Sequence, residues 1–231
     1  MGFRGYRRQE VDELNDIAQR ALEALEARHQ TREKMLGLSR RLIRQSANTI
    51  RAVHRGELET AKQMLEEGRA VVEQFNADLA DEPGLYEAGY VQDALKEFAE
   101  ASITYALIRR QPLPGPEELN MDHAAYLNGL GEAMGELRRD ILDLIRAGNM
   151  SRAEELLRTM DQVYDVLVTV DYPDAITRGL RRRTDMVRGV LEKTRGDLTM
   201  AVRQQRLEDT LREFEEKVLG QQGRERSAQS E

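Results

Sequence analysis

Between Arg7 and Arg55 there is no proline, and apolar side chains return every three or four positions. Val11, Leu14, Ile17, Ala18, Ala21, Leu22 and Leu25 begin the rhythm, and Met35, Leu38, Leu42, Ala47, Ile50 and Val53 continue it. That period is the signature of an amphipathic helix, so the spacing predicts one very long helix, or two abutting ones, from about residue 7 to about residue 55. Gly37 is the soft point of the run, costing about 1 kcal/mol relative to alanine, and Gly56 ends it.

The same reading continues along the chain. Helices are expected over Glu57–Leu79, over Leu85–Arg110 after the break at Asp81–Gly84, and over Asp122–Ala147 after the irregular Gln111–Pro116 segment. Ser151 with Glu154 fits a capping box that opens a helix to Val170. Asp171 fits an N-cap for a helix beginning at Pro173 and reaching Asp197. Whether that helix merges with Leu198–Leu219 is left open by the pattern. No segment alternates with the period of a strand. The expected fold is therefore all-α: about seven long helices packed as a single bundle domain over residues 1–220, with 221–231 a disordered tail. Helices of this length leave much side surface exposed, and some of it is expected to bury against other copies of the chain.

Composition removes several chemistries. The chain has no Cys, so disulfides, thiolate nucleophiles and thiolate-built metal sites are excluded, and a cytoplasmic setting fits. His29, His54 and His123 are the only histidines, too few and too scattered for a histidine metal cluster. His54 reads as a hydrogen-bonded residue at the core edge, His123 as part of a helix start. No apolar run is long enough for a membrane span, and the opening MGFRGYRRQE has neither an apolar signal segment nor the Ser or Thr of a myristoyl signal.

The net charge is −7, but it is unevenly spread. Arg32–Arg55 carries a net +6, and Arg40, Arg44, Arg51 and Arg55 fall on one helical face. Glu57–Glu100 carries a net −9. The basic face suits nucleic-acid phosphate, or it simply pairs with the acidic stretch; charge alone leaves both readings open. A second basic run, Arg178, Arg181, Arg182, Arg183 and Arg188, has the same two readings, and nearby Tyr172 could stack on a base. Glu97 and Glu100 are three apart on one predicted helix; Glu132 and Glu136 are four apart on another, with Asp93 and Asp140 one turn away. Such pairs are common on solvated faces. If they meet between helices they need protons or a cation, and an all-oxygen donor set suits Mg²⁺ or Mn²⁺.

Several segments resemble the translin/Trax family in order and separation: Arg32-Glu33-Lys34, Leu38-Ser39-Arg40, Ile43-Arg44, Thr49-Ile50, Val53-His54-Arg55, then YLNGLGEAMGELRR (126–139) and MDQVYDVL (160–167). The resemblance covers about residues 10–200. It implies an all-helical fold, assembly into hollow oligomers, commonly octamers, and binding of single-stranded RNA or DNA. In Trax-like members it implies a metal-dependent endoribonuclease. Its acidic residues fall on Glu97, Glu100, Glu132 and Glu136, the last two in an Asp-x-x-x-Glu pattern in which Glu132 replaces the aspartate. These four are the expected metal ligands and catalytic residues. Arg40, Arg44, Arg51, Arg55, Arg181, Arg182 and Arg188 are the expected phosphate contacts. The aromatic, histidine-rich RNA-contacting segment of eukaryotic translin is not evident between Leu79 and Glu97. A non-catalytic single-stranded nucleic-acid binder is the alternative.

Overall fold

The computed structural model describes residues 3–228, with side chains from Glu13 to Val218. All regular structure among them is helical: α1 (Phe3–His54), α2 (Leu58–Asp78), α3 (Pro83–Tyr86), α4 (Gly89–Arg109), α5 (His123–Arg146), α6 (Met150–Val168), α7 (Asp174–Thr177) and α8 (Leu180–Ala228). None of these helices is long and apolar enough to cross a membrane. The chain divides into two compact units. One takes the chain up to Tyr105 with Leu113–Gly129, the other Ala106–Pro112 with everything from Leu130 onward.

In the first unit α1 and α2 form an antiparallel pair. Gly56 makes the turn at φ +75°, a conformation that favours a residue without Cβ. Lys34 Nζ meets Asp78 Oδ2 at 2.7 Å, and Gln45 Nε2 donates to Glu67 Oε2 at 2.9 Å and to the Met64 carbonyl at 2.8 Å. Arg28 and Glu82 continue the ladder at 3.5 Å. Part of the basic helix therefore pairs with the acidic stretch, as one of the two charge readings expects. Beneath the ladder, Met35, Leu42, Val72 and Phe75 are fully buried. Phe98 of α4 lies against α2 at Gly68, where a Cβ would stand 2.6 Å from the ring, and Leu42 closes the same contact. This fixes which face of α4 turns inward. The Pro-rich connection is tied to α2 by Arg69, which donates to the Glu118 carbonyl, and by Asn76, which donates to the Asn120 carbonyl. Asp122 then caps α5 by accepting from the Ala124 and Ala125 amides.

In the second unit two expectations change and one point that the pattern leaves open is settled. The cap of α6 is Asn149, whose side chain accepts from the Arg152 amide, not Ser151, which already lies inside the helix; Gly148 at φ +75° brings the chain to that cap. Asp171 caps nothing: only the four-residue α7 follows Pro173, because Arg178 (φ +53°) and Gly179 (φ +83°) turn the chain there. And α8 then runs unbroken past Asp197. That carboxylate accepts from Arg138 of α5 at 2.7 Å, and Arg138 also donates to Thr194 Oγ1. Arg195 of α8 bonds Asp161 of α6. Residues 221–228, expected as a disordered tail, continue α8, and 229–231 lie outside the described residues.

Two apolar stripes face solvent in the single chain. Leu14, Ile17, Leu22 and Leu25 line the first half of α1, and Leu207, Leu211 and Phe214 line the far part of α8, each more than half exposed.

Candidate metal centre and nucleic-acid interface

Glycine sets the central contact. Gly129 of α5 packs directly on the backbone of α4. A Cβ there would lie 2.6 Å from the Lys96 carbonyl oxygen, 2.6 Å from Ala99 Cβ and 3.0 Å from the Glu100 amide. Only a residue without a side chain lets the two helices come this close. Lys96–Glu100 is the turn that carries Glu97 and Glu100. Glu132 stands three residues beyond Gly129 on the same unbroken helix, and so on the same face.

The carboxylates converge accordingly. Glu97, Glu100 and Glu132 each place one carboxylate oxygen within 4.8 Å of the others, and all three side chains are half-buried. Three like charges at this spacing repel by on the order of 3 kcal/mol per pair at an effective dielectric constant of about 20. Two cations reduce that repulsion. Lys96 Nζ lies 3.7 Å from Glu97 Oε1, and Arg183 Nη2 lies 2.5 Å from Glu132 Oε1. Arg183 reaches across because its seat on α5 is Gly131, where a Cβ would collide with Arg183 Cγ. Glu136 is half-buried one turn beyond Glu132 and is not one of the three whose oxygens meet; Asp140 follows it half-buried, and Asp93 is exposed.

The donor set fits a hard divalent ion. Oxygens around one ion with bonds of about 2.1 Å sit about 3 Å apart when adjacent and about 4.2 Å apart when opposite. The observed spread therefore closes on such an ion with a small inward turn of the carboxylates. Three protein oxygens leave coordination positions for water or substrate.

The basic candidates separate into two groups. Arg40 and Arg44 are exposed on α1 and make no ion pair with described residues. Arg51 donates to Asn48 at 2.7 Å. Arg55 is held by both oxygens of Glu57 at 2.7 Å; that charge-assisted pair raises the Arg55 pKa and lowers that of Glu57. On α8, Arg188 faces Asp185 at 3.4 Å, and Arg181 faces Asp171 at 3.8 Å beside a cleft of about 650 Å³ that also holds Asp174 and the exposed Tyr172. Arg182 is exposed. Aspartates thus screen much of the second run, and Arg40 with Arg44 offers the more open cationic surface. His29 is exposed, His54 closes α1 half-buried, and His123 opens α5 with Nε2 3.2 Å from Glu117 Oε1. Burial, with Glu117 and Glu118 nearby, holds the Tyr126 phenol above its ordinary pKa.

Among the described residues the chain is all-helical, with three carboxylates converging beside a glycine contact. Comparison with known proteins is more specific. No protein-family model matches the chain. The uncharacterized protein MJ0175 of Methanocaldococcus jannaschii is 31% identical over 204 residues, covering 87% of this chain and 88% of that one. Among solved structures, AfC3PO in complex with duplex RNA is 32% identical with a TM-score of 0.71, and AfC3PO alone 31% identical with a TM-score of 0.72; each comparison covers 82% of this chain and 96% of that chain. Apo-NeC3PO, at 23% identity and a TM-score of 0.68 over 83% of this chain and 96% of that one, shares the fold. The chain belongs to the translin/Trax family, with the C3PO proteins.

Proposed function

We propose that this protein is a divalent-metal-dependent endoribonuclease acting on single-stranded RNA. The observation that carries the reading is the convergence of Glu97, Glu100 and Glu132 within 4.8 Å in a half-buried setting. These three hold Mg²⁺ or Mn²⁺. The ion supplies Lewis-acid stabilisation of the phosphodiester and lowers the pKa of water. Glu136 completes the set or takes the proton of the attacking water. Arg40 and Arg44, with Arg51, Arg182 and more weakly Arg55, Arg181 and Arg188, hold backbone phosphates, which positions the strand without reading its sequence. The solved complex of AfC3PO with duplex RNA supports RNA as the ligand class. The exposed stripes on α1 and α8 support burial between copies in a homo-oligomer, with an octamer as the assembly to test.

The alternative is a non-catalytic binder of single-stranded DNA or RNA. It is favoured by the Arg183–Glu132 pair, which offsets part of the carboxylate charge without any ion. Labelled single-stranded RNA, its duplex and single-stranded DNA, each incubated with Mn²⁺ or with EDTA, separate the readings. Cleavage of the single-stranded RNA with Mn²⁺ and not with EDTA is the expected result. Tight binding with no metal-stimulated product establishes the binder, and absence of binding sinks both.

Phosphate contact by α1 has its own signature. For single strands log K falls with log salt by about 0.7 per phosphate neutralised, so the double variant R40A/R44A is expected to lower that slope by about 1.4. Removing Arg55, already engaged by Glu57, is expected to change it less. A filter-binding salt titration reads both, and an unchanged slope in the double variant removes this face from the interface.

A further inference from the structure

Arg183 is the group near the carboxylates whose bonding is incomplete. Its side chain is a quarter exposed, its Nη2 holds Glu132 through one contact, and its Nη1 has only the weak acceptor Met186 Sδ at 3.5 Å. Its buried Nε has no hydrogen-bond partner. A guanidinium bound firmly to a carboxylate usually engages it with two parallel bonds; here it engages one, and a charged donor is left unsatisfied at a cost. Arg183 is thus held, but not held fully.

Charge governs how this arginine responds to a metal ion. Three carboxylates with Lys96, which meets Glu97, and Arg183, which meets Glu132, leave one negative charge among these five side chains. A divalent cation turns that remainder into one net positive charge. The same cation competes with Arg183 for Glu132. We infer that Arg183 is a phosphate-positioning residue held in reserve by Glu132: loading of the metal loosens its guanidinium from the carboxylate and makes it available to the substrate phosphate. Gly131 is the seat that allows this, since a Cβ there meets Arg183 Cγ. Metal and RNA then bind cooperatively through one arginine. This deepens the nuclease reading and rests on it.

Removing Arg183 has effects of opposite sign, which a purely structural strut does not produce. Mn²⁺ binding to the full-length protein, followed by electron paramagnetic resonance, is expected to tighten about fivefold in R183A, the upper end for one partly exposed ion pair. The gain in affinity for a non-cleavable 2′-O-methyl oligoribonucleotide on adding Mn²⁺ is expected to fall roughly tenfold, the scale of one charge-assisted bond to phosphate. R183Q repeats the test with the volume kept. G131A repeats it with the charge kept and the seat filled, and all three are checked for helix content. Weaker or unchanged Mn²⁺ binding in both arginine variants, with the oligonucleotide gain intact, overturns the inference while leaving the metal centre standing. A wild-type protein that binds no Mn²⁺ overturns the metal centre and this inference together.

Discussion

Gly129→Ala is expected to weaken Mn²⁺ binding by a factor of about ten or more and to lower metal-stimulated RNA cleavage by about a hundredfold, while the chain remains helical. The added methyl has nowhere to go. It would stand 2.6 Å from the Lys96 carbonyl oxygen and from Ala99 Cβ, and a backbone carbonyl inside a helix cannot rotate aside. The two helices must part by roughly 1 Å, the size of misplacement that costs about 100-fold in rate, and metal sites tolerate only about 0.5 Å. Stability is expected to move less than binding. Overpacking costs about 1–3 kcal/mol, and alanine returns up to about 1 kcal/mol of helix propensity over glycine. Mn²⁺ titration beside a thermal melt separates the effects. Wild-type metal affinity in a folded G129A would show that the close contact does not position the carboxylates.

How far the sequence speaks depends on how local the cause is. The α1–α2 pair is legible because one 3.6-residue rhythm, one glycine at the turn and two blocks of opposite charge all act over neighbouring residues. The start of α6 is less so. Ser151 and Asn149 are both good caps two residues apart, and only the Gly148 turn decides between them. The length of α8 is not legible, because the pattern leaves open whether the helix stops at Asp197 or merges with Leu198–Leu219, and the partner of the Asp197 carboxylate, Arg138, lies 59 residues away. The site follows the same rule. Spacing and the family resemblance place Glu97, Glu100 and Glu132 on two helices, but the close contact beside which they meet lies at Gly129, and the seat of Arg183 at Gly131, which the motif YLNGLGE displays without explaining. Two glycines two apart inside a helix, each costing about 1 kcal/mol, are themselves a signal of close approach. Arg183 is one of five arginines in a run and carries no mark of its own in the sequence. It becomes distinct only when α8 brings it to Glu132.

Glu132→Gln is expected to reduce metal-dependent cleavage at least a hundredfold, since even residues that only support metal ligands are worth about 10–100-fold. Its effect on stability is expected to be small, because two changes oppose each other. Arg183 loses the charge it faces at 2.5 Å, and Glu97 and Glu100 lose a repelling neighbour. Glu132→Asp tests the geometry and not the charge. It installs the residue that the resemblance implies, one methylene shorter, so the carboxylate retreats from Arg183 by about 1.5 Å, one carbon–carbon bond length. If Arg183 competes with the metal for this carboxylate, E132D binds Mn²⁺ at least as well as the native protein while E132Q binds it poorly. Full cleavage by E132Q with Mn²⁺, in a preparation free of contaminating nuclease, removes Glu132 from the centre. Metal-stimulated cleavage would then have to be centred on Glu97 and Glu100 with a different third ligand, Glu136 being the next carboxylate along α5.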